Sequence, residues 1–152
     1  MNAEQEQAAD EVAIRTLTLL AERAAAFRAR DASRFVASLD PSIVIFDLAP
    51  PLRRTGPELL DPAGLQAWLD TWKDEIGYEM SELTISIGGD IAYCHSLDHL
   101  TGRRTDGDRE DFWTRATVGL RKTGDGWKVT HEHTSVPFYM DGTDRPAFDL
   151  RP

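Results

Sequence analysis

Three turn signals, Gly88-Gly89-Asp90, Asp106-Gly107 and Gly124-Asp125-Gly126, cut the second half of the chain into segments at 91–101, 109–122 and 127–138. Turns of this chemistry join antiparallel neighbours, because glycine reaches the positive φ that tight hairpins require. Just upstream the apolar period is also two. Tyr78 and Met80 share one parity while Leu83, Ile85 and Ile87 share the other, so a β-bulge near Ser81-Glu82 is expected to reconcile them and sharpen the bend. A long antiparallel meander of this kind has to bury one face, and the first half of the chain must supply the cover.

That half reads as helical. Ala13, Leu17, Leu20, Ala24 and Phe27 step by four, three, four and three residues, an apolar stripe that predicts a helix over about 8–30. Asp31 is an N-cap candidate for a short second helix carrying Phe35, Val36 and Leu39, which Asp40-Pro41 ends. The run Ile43 to Phe46 predicts a first strand covered on both faces, stopped by Pro50-Pro51. Asp61-Pro62 then starts a third helix with Leu65, Trp68, Leu69, Trp72 and Ile76 on one face, ending near Gly77. The tail, 139–152, holds Phe148 and Leu150 and is expected to drape over the body. With no repeat or linker visible, residues 1–152 are read as one domain. It is an α+β fold in which N-terminal helices pack against a strongly bent antiparallel sheet to make a cone, closed by core side chains at one end and open as a pocket at the other.

Composition narrows the partners. The chain has 152 residues, enough for one core without disulfides, and 17 basic residues against 26 acidic ones leave a net charge of −9. A nucleic-acid or anionic-membrane binder carries the opposite sign, so neither partner is expected. The longest apolar runs are four residues (Ala24 to Phe27, Ile43 to Phe46), far short of the ~20 that span a bilayer. The acidic start, Met1-Asn2-Ala3-Glu4, does not read as a signal peptide, and the lone Cys94 fits a reducing compartment; a cytoplasmic location is expected.

The order helix, helix, strand, helix, four strands resembles the nuclear transport factor 2-like fold, which includes the ketosteroid isomerases. The segment Asp111-Phe112-Trp113-Thr114-Arg115-Ala116-Thr117, then Leu120-Arg121-Lys122, then Gly126-Trp127 through His131-Glu132-His133-Thr134-Ser135-Val136-Pro137-Phe138, is similar to the SnoaL-like branch of that superfamily, as are Phe46-Asp47-Leu48-Ala49-Pro50-Pro51-Leu52 and Cys94-His95-Ser96-Leu97. The resemblance spans essentially the whole chain. It implies acid–base chemistry without cofactor or metal on a small apolar molecule held in the cone, of isomerase, cyclase or dehydratase type, and a homodimer formed through the outer face of the sheet. A second resemblance, to the association (hub) domain of calcium/calmodulin-dependent protein kinases, implies the alternative of a non-catalytic module that binds a ligand or oligomerises.

Candidate chemistry gathers on the meander. His95 and His99 share a parity on one strand, His131 and His133 on another, and the strand between carries Arg115. Bent around a concavity, these side chains could converge. His131, Glu132 and His133 are then candidate proton shuttles with His95 nearby, and Arg115 a candidate for steadying negative charge. The last hairpin decides their direction. A four-residue loop sets Arg115 opposite Thr134 and a three-residue loop sets it opposite Ser135; inward-facing Trp127 and Val129 bring His131 and His133 inward unless a bulge intervenes. Candidate ligand contacts are Phe46, Asp47, Trp68, Trp72, Asp98 and Trp113, with Tyr78 and Tyr93 as further donors. Trp68 and Trp72 equally suit a core stripe, and the imidazoles equally suit solvent. His131-x-His133 invites a chelate, but zinc needs three or four ligands and no recognised spacing supplies the rest, so no metal is expected.

Overall fold

A computed structural model describes residues 1–152. Helix α1, Ala3–Arg28, opens on a capping box in which Asn2 Oδ1 accepts from the Gln5 amide at 2.9 Å and Gln5 Oε1 accepts from the Asn2 amide at 3.0 Å. Helix α2, Ala32–Val36, is capped by Asp31, whose carboxylate accepts from the Arg34 amide. Helix α3, Pro62–Leu69, follows a single 3-10 turn at Pro57–Leu59 and is capped by Asp61 with proline in its first turn. No helix is long and apolar enough to cross a membrane.

Five strands, β1 (Leu39–Phe46), β2 (Trp72–Gly88), β3 (Ile91–Arg104), β4 (Arg109–Thr123) and β5 (Gly126–Ser135), form one curved, unclosed sheet in the order β1-β5-β4-β3-β2. The meander pairs antiparallel as its turns predict, and β1 joins the far edge parallel to β5, with Phe46 beside His133. The helices cover one face. Leu20 of α1 packs with Ile43, Leu120, Trp127 and Val129 in the larger core cluster, while Ala32, Leu69, Trp72, Ile76 and Leu100 form a second, smaller one.

Two local expectations need correction, and a third is borne out with an addition. The third helix stops at Leu69, with Thr71 Oγ1 donating to the Trp68 carbonyl, and Trp72 already opens β2. The four-residue step from Trp72 to Ile76 suits one face of a strand as well as of a helix, so periodicity cannot separate the two. Strand β2 also carries two irregularities. One is at Lys73/Gly77, where Asp74 has φ 64°, and the expected one is at Ser81/Thr84, where Glu82 has φ 52°. In α1 the buried face runs through Thr16, Leu20, Arg23 and Phe27, leaving Leu17 47% exposed.

Gly102 marks a tight approach. Its φ is 152°, and a Cβ there would lie 2.9 Å from the ring of fully buried Trp72, whose other contacts include the Arg104 guanidinium 3.9 Å from the ring centroid. Gly102→Ala is therefore expected to cost about 1–3 kcal/mol by overpacking, read as a lower urea midpoint with an unchanged slope.

Candidate functional site

The direction of every candidate on β5 is set by one residue. Leu120 pairs with Val129 but Gly119 pairs with His131, so Thr130 is an extra residue bulged out of the β4–β5 ladder. The hairpin loop itself is two residues, Gly124-Asp125, and the bulge brings Arg115 opposite Ser135. Trp127 and Val129 are buried toward the helices, and after the bulge the inward positions belong to Glu132 and Thr134. The expectation that His131 and His133 point inward is thereby corrected. His131 donates through Nδ1–H to the Val44 carbonyl at 2.7 Å and lies against Phe46, whose ring also meets exposed His133 edge-on.

The remaining outward candidates follow from β3 and β4. On β3 the buried side is Ala92, Cys94, Ser96, Asp98 and Leu100, which leaves His95 exposed and puts His99 on the far side, stacked 4.4 Å from the ring of Trp113 and bonded to Asp111 at 2.8 Å. Arg115 is exposed and donates to Ser135 Oγ at 3.1 Å. Asp47 sits in the loop after β1, 3.5 Å from Arg54. Trp72 is interior to the second core cluster, and Trp68, 39% exposed, flanks it at 5.8 Å under the same Arg104. The structure therefore does not bring the imidazoles, Arg115, Trp113, Phe46, Asp47, Trp68 and Trp72 together around one cavity.

It does bring together another set. A cavity of about 60 Å³ lies between α1, α2 and the inner face of the sheet, and Asp98, Ser96, Tyr78, Glu132 and Arg23 supply its polar lining. Asp98 is 4% exposed; its two carboxylate oxygens accept from Tyr78 Oη at 2.5 Å and from Ser96 Oγ at 2.6 Å. Arg23 pairs with Glu132 across 109 residues of sequence, with its guanidinium 4.5 Å from the centre of the Phe35 ring. Leu20, Met80, Cys94 and Val118 complete the wall with apolar surface.

Burial raises the Asp98 carboxyl above the usual carboxylate range, against the pull of the Ser96 and Tyr78 hydrogen bonds; Glu132 reinforces the rise and Arg23 opposes it. Burial first, and then the Asp98 charge, push the Tyr78 phenol well above its ordinary value, so it stays a donor. Burial pushes the Cys94 thiol up to about 11, which leaves it a small apolar wall group. A carboxyl whose proton affinity is raised, a phenol that keeps its proton and a guanidinium held by Glu132 thus line one small cavity.

Of these groups the sequence patterns pointed to Asp98, Glu132 and Tyr78 and missed Arg23, Ser96 and Phe35. Arg23 falls three residues after Leu20 and four before Phe27, a charged side chain interrupting an apolar stripe, and that interruption was the available signal. Because Arg23 and Glu132 retain 7% and 18% of their side-chain exposure, removing one strands the other. Arg23→Met alone is expected to cost roughly 3 kcal/mol, and Arg23→Met/Glu132→Leu substantially less, as read from urea midpoints.

Comparison with known proteins places this geometry. Residues 17–139 match the model of the SnoaL-like domain family. No curated protein matches the chain. Among solved structures, an NTF2-like protein of unknown function from Pseudomonas putida KT2440 is 32% identical, with 95% of this chain and 98% of that chain covered and a TM-score of 0.79. A ketosteroid isomerase-like protein from Erwinia carotovora atroseptica is 20% identical over 78% of this chain and 90% of that chain, with a TM-score of 0.64. The association domain of C. elegans CaMKII is 18% identical over 88% of this chain and 99% of that chain, with a TM-score of 0.61. The last two show the fold alone; the family match, over the strands and helices that build the cavity, makes this chain a member of the SnoaL-like domain family.

Proposed function

We propose that the chain is a cofactor-independent enzyme that moves a proton on a small apolar molecule, with Asp98 as the acid–base group. The observation that carries this is a carboxyl 4% exposed on the wall of a cavity, held by two hydroxyl donors and raised above its ordinary value by its burial. In the anionic form Asp98 takes a proton from carbon next to a carbonyl, and the electron pair moves onto the carbonyl oxygen. Arg23 stands on the same wall to stabilise that developing charge, already fixed by Glu132 and Phe35 so that little reorganisation is required. Return of the proton to another carbon is an isomerisation, loss of a β-hydroxyl a dehydration, and attack on a second carbonyl a cyclisation. The cavity's 60 Å³ holds only the reacting end of a ligand, well below the ~300–1,000 Å³ of ordinary ligand pockets. On this reading the protein works in the cytoplasm.

The competing reading is a non-catalytic module that assembles with a second copy. It is favoured by the uncovered outer face of the sheet, where Phe46, Tyr93 and Ile91 are 37%, 50% and 54% exposed, and by likeness to an association domain. Native mass gives the assembly state, and exchange of C–H deuterium from a series of enolisable ketones decides the catalytic reading: no exchange above buffer would falsify it.

Two variants test the assignment of Asp98. Asp98→Asn is expected to lower exchange by about 10²–10⁴-fold. It should also raise Tm, because a carboxyl whose folded pKa is elevated loses stability as pH climbs from its unfolded to its folded value and keeps that full cost above it, whereas the amide stays neutral. The Tm advantage should therefore vanish in acid, grow as pH rises above the ordinary carboxylate value and level off once Asp98 is ionised in the folded state. Tyr78→Phe removes a hydrogen bond that favours the anion, so the acidic limb of the rate profile is expected to move to higher pH; an unmoved limb contradicts Asp98 as the titrating base.

A further inference from the structure

Beside the cavity, where α1 and α2 meet the start of β5, runs an open groove of about 400 Å³. Its charge is unlike that of the chain. Arg15, Arg23, Arg34 and Lys128 line it against the single carboxylate Glu22, on a protein with a net charge of −9. Leu19 and Trp127 add apolar surface. Several of the cations have donors to spare. Lys128 Nζ donates to the Ala37 carbonyl at 2.7 Å with one of its three hydrogens. Arg34 is held only by Glu22 at 3.3 Å, with side chains 48% and 70% exposed, a pairing that exchanges readily for another anion. Arg15 pairs with Glu11 one helical turn away, and both are well exposed.

Arg23 is common to the walls of the two spaces. It is 6% exposed, gives Nη2 to Glu132, and leaves Nη1 with no acceptor in the protein. A buried guanidinium N–H without a partner is costly, and an acceptor on a ligand passing between the two spaces satisfies it.

We propose that this groove binds an organic anion, with an apolar body against Leu19 and Trp127 and a carboxylate or phosphate held by Arg34, Lys128 and Arg15. Resting on the catalytic reading above, the groove narrows the substrate from a small apolar molecule to an amphipathic carbonyl compound, apolar at its reacting end, whose anionic tail stays in the groove while that end passes Arg23 to reach Asp98. The groove supplies the volume that the inner cavity lacks.

The test titrates the full chain with naphthoate, naphthyl phosphate and naphthol at low salt, followed by calorimetry. Both anions are expected to bind about tenfold more tightly than naphthol, as one or two charge-assisted hydrogen bonds provide. The tighter of the two identifies the headgroup. Arg34→Gln and Lys128→Gln should each weaken the anions by about tenfold and leave naphthol unchanged, and added NaCl should do the same. Equal binding of naphthol, or anion affinity indifferent to both substitutions, overturns the proposal. Should Lys128→Gln fail to fold, Arg34→Gln, at a side chain 48% exposed, decides alone. The two readings separate cleanly. Naphthoate binding that survives in Asp98→Asn, with no deuterium exchange by the wild type, supports the groove and removes the catalysis, whereas exchange without anion binding overturns the groove alone.

Discussion

The ion pair between Arg23 and Glu132 ties the first helix to the last strand and determines what the interior can contain. Withdrawing two charges from water costs several kcal/mol per ion after relaxation, and their mutual attraction offsets that only with good geometry and further hydrogen bonds. Here the guanidinium also lies on the Phe35 ring, which takes up one of its faces. Yet Nη1 remains without a protein partner, so the arrangement falls short of full satisfaction. A stability-driven interior would place apolar groups of similar volume at these two positions. Asp98 adds to the deficit, since its burial outweighs the two hydroxyls that bond it.

Those costs are coupled. Asp98 is raised partly by the Glu132 charge and lowered by Arg23, so its proton affinity answers to both neighbours, with Tyr78 as a donor that does not ionise. In a water-filled cleft such couplings are screened to a fraction of a kcal/mol. In a space of about 60 Å³ walled by Leu20, Met80 and Val118 they are much stronger, because little solvent can reorient against them. The same low polarisability that makes burying Asp98 costly to the fold raises its affinity for a proton.

Much of the architecture was legible because it depends on short-range rules. Asp31 and Asp61 cap the helices they were expected to cap, and the glycine turns after Ile87, Thr105 and Thr123 join antiparallel neighbours. The bulge at Ser81-Glu82 was visible as a change of parity between Met80 and Leu83. The bulge at Thr130 had no such signature. Trp127 and Val129 share a parity with His131 and His133, and nothing in the side chains from Thr130 onward marks a change, since Glu132 reads as a solvent residue until Arg23 is known to face it. That partner lies 109 residues away, a distance over which neither period nor propensity carries information. One inserted residue therefore moved two imidazoles out and a carboxylate in. The parallel docking of β1 on β5 was hidden for the same reason, being a long-range pairing with no turn to announce it.

The placement of the imidazoles sharpens the argument for the interior. His95 and His133 are exposed, His99 is engaged by Trp113 and Asp111, and His131 is committed to the Val44 carbonyl. On an uncovered sheet face a proton carrier competes with bulk water and gains no fixed dipole to stabilise a developing charge, so histidine's favourable titration range alone does not make a site. Inside, the opposite holds. Asp98 has the less suitable intrinsic pKa, but it has the enclosure, the donors and a neighbouring cation. Where residue type and environment point to different faces of one sheet, environment is the stronger guide to chemistry, because burial can raise a carboxyl into the working range whereas nothing on the exposed face can supply histidine with enclosure.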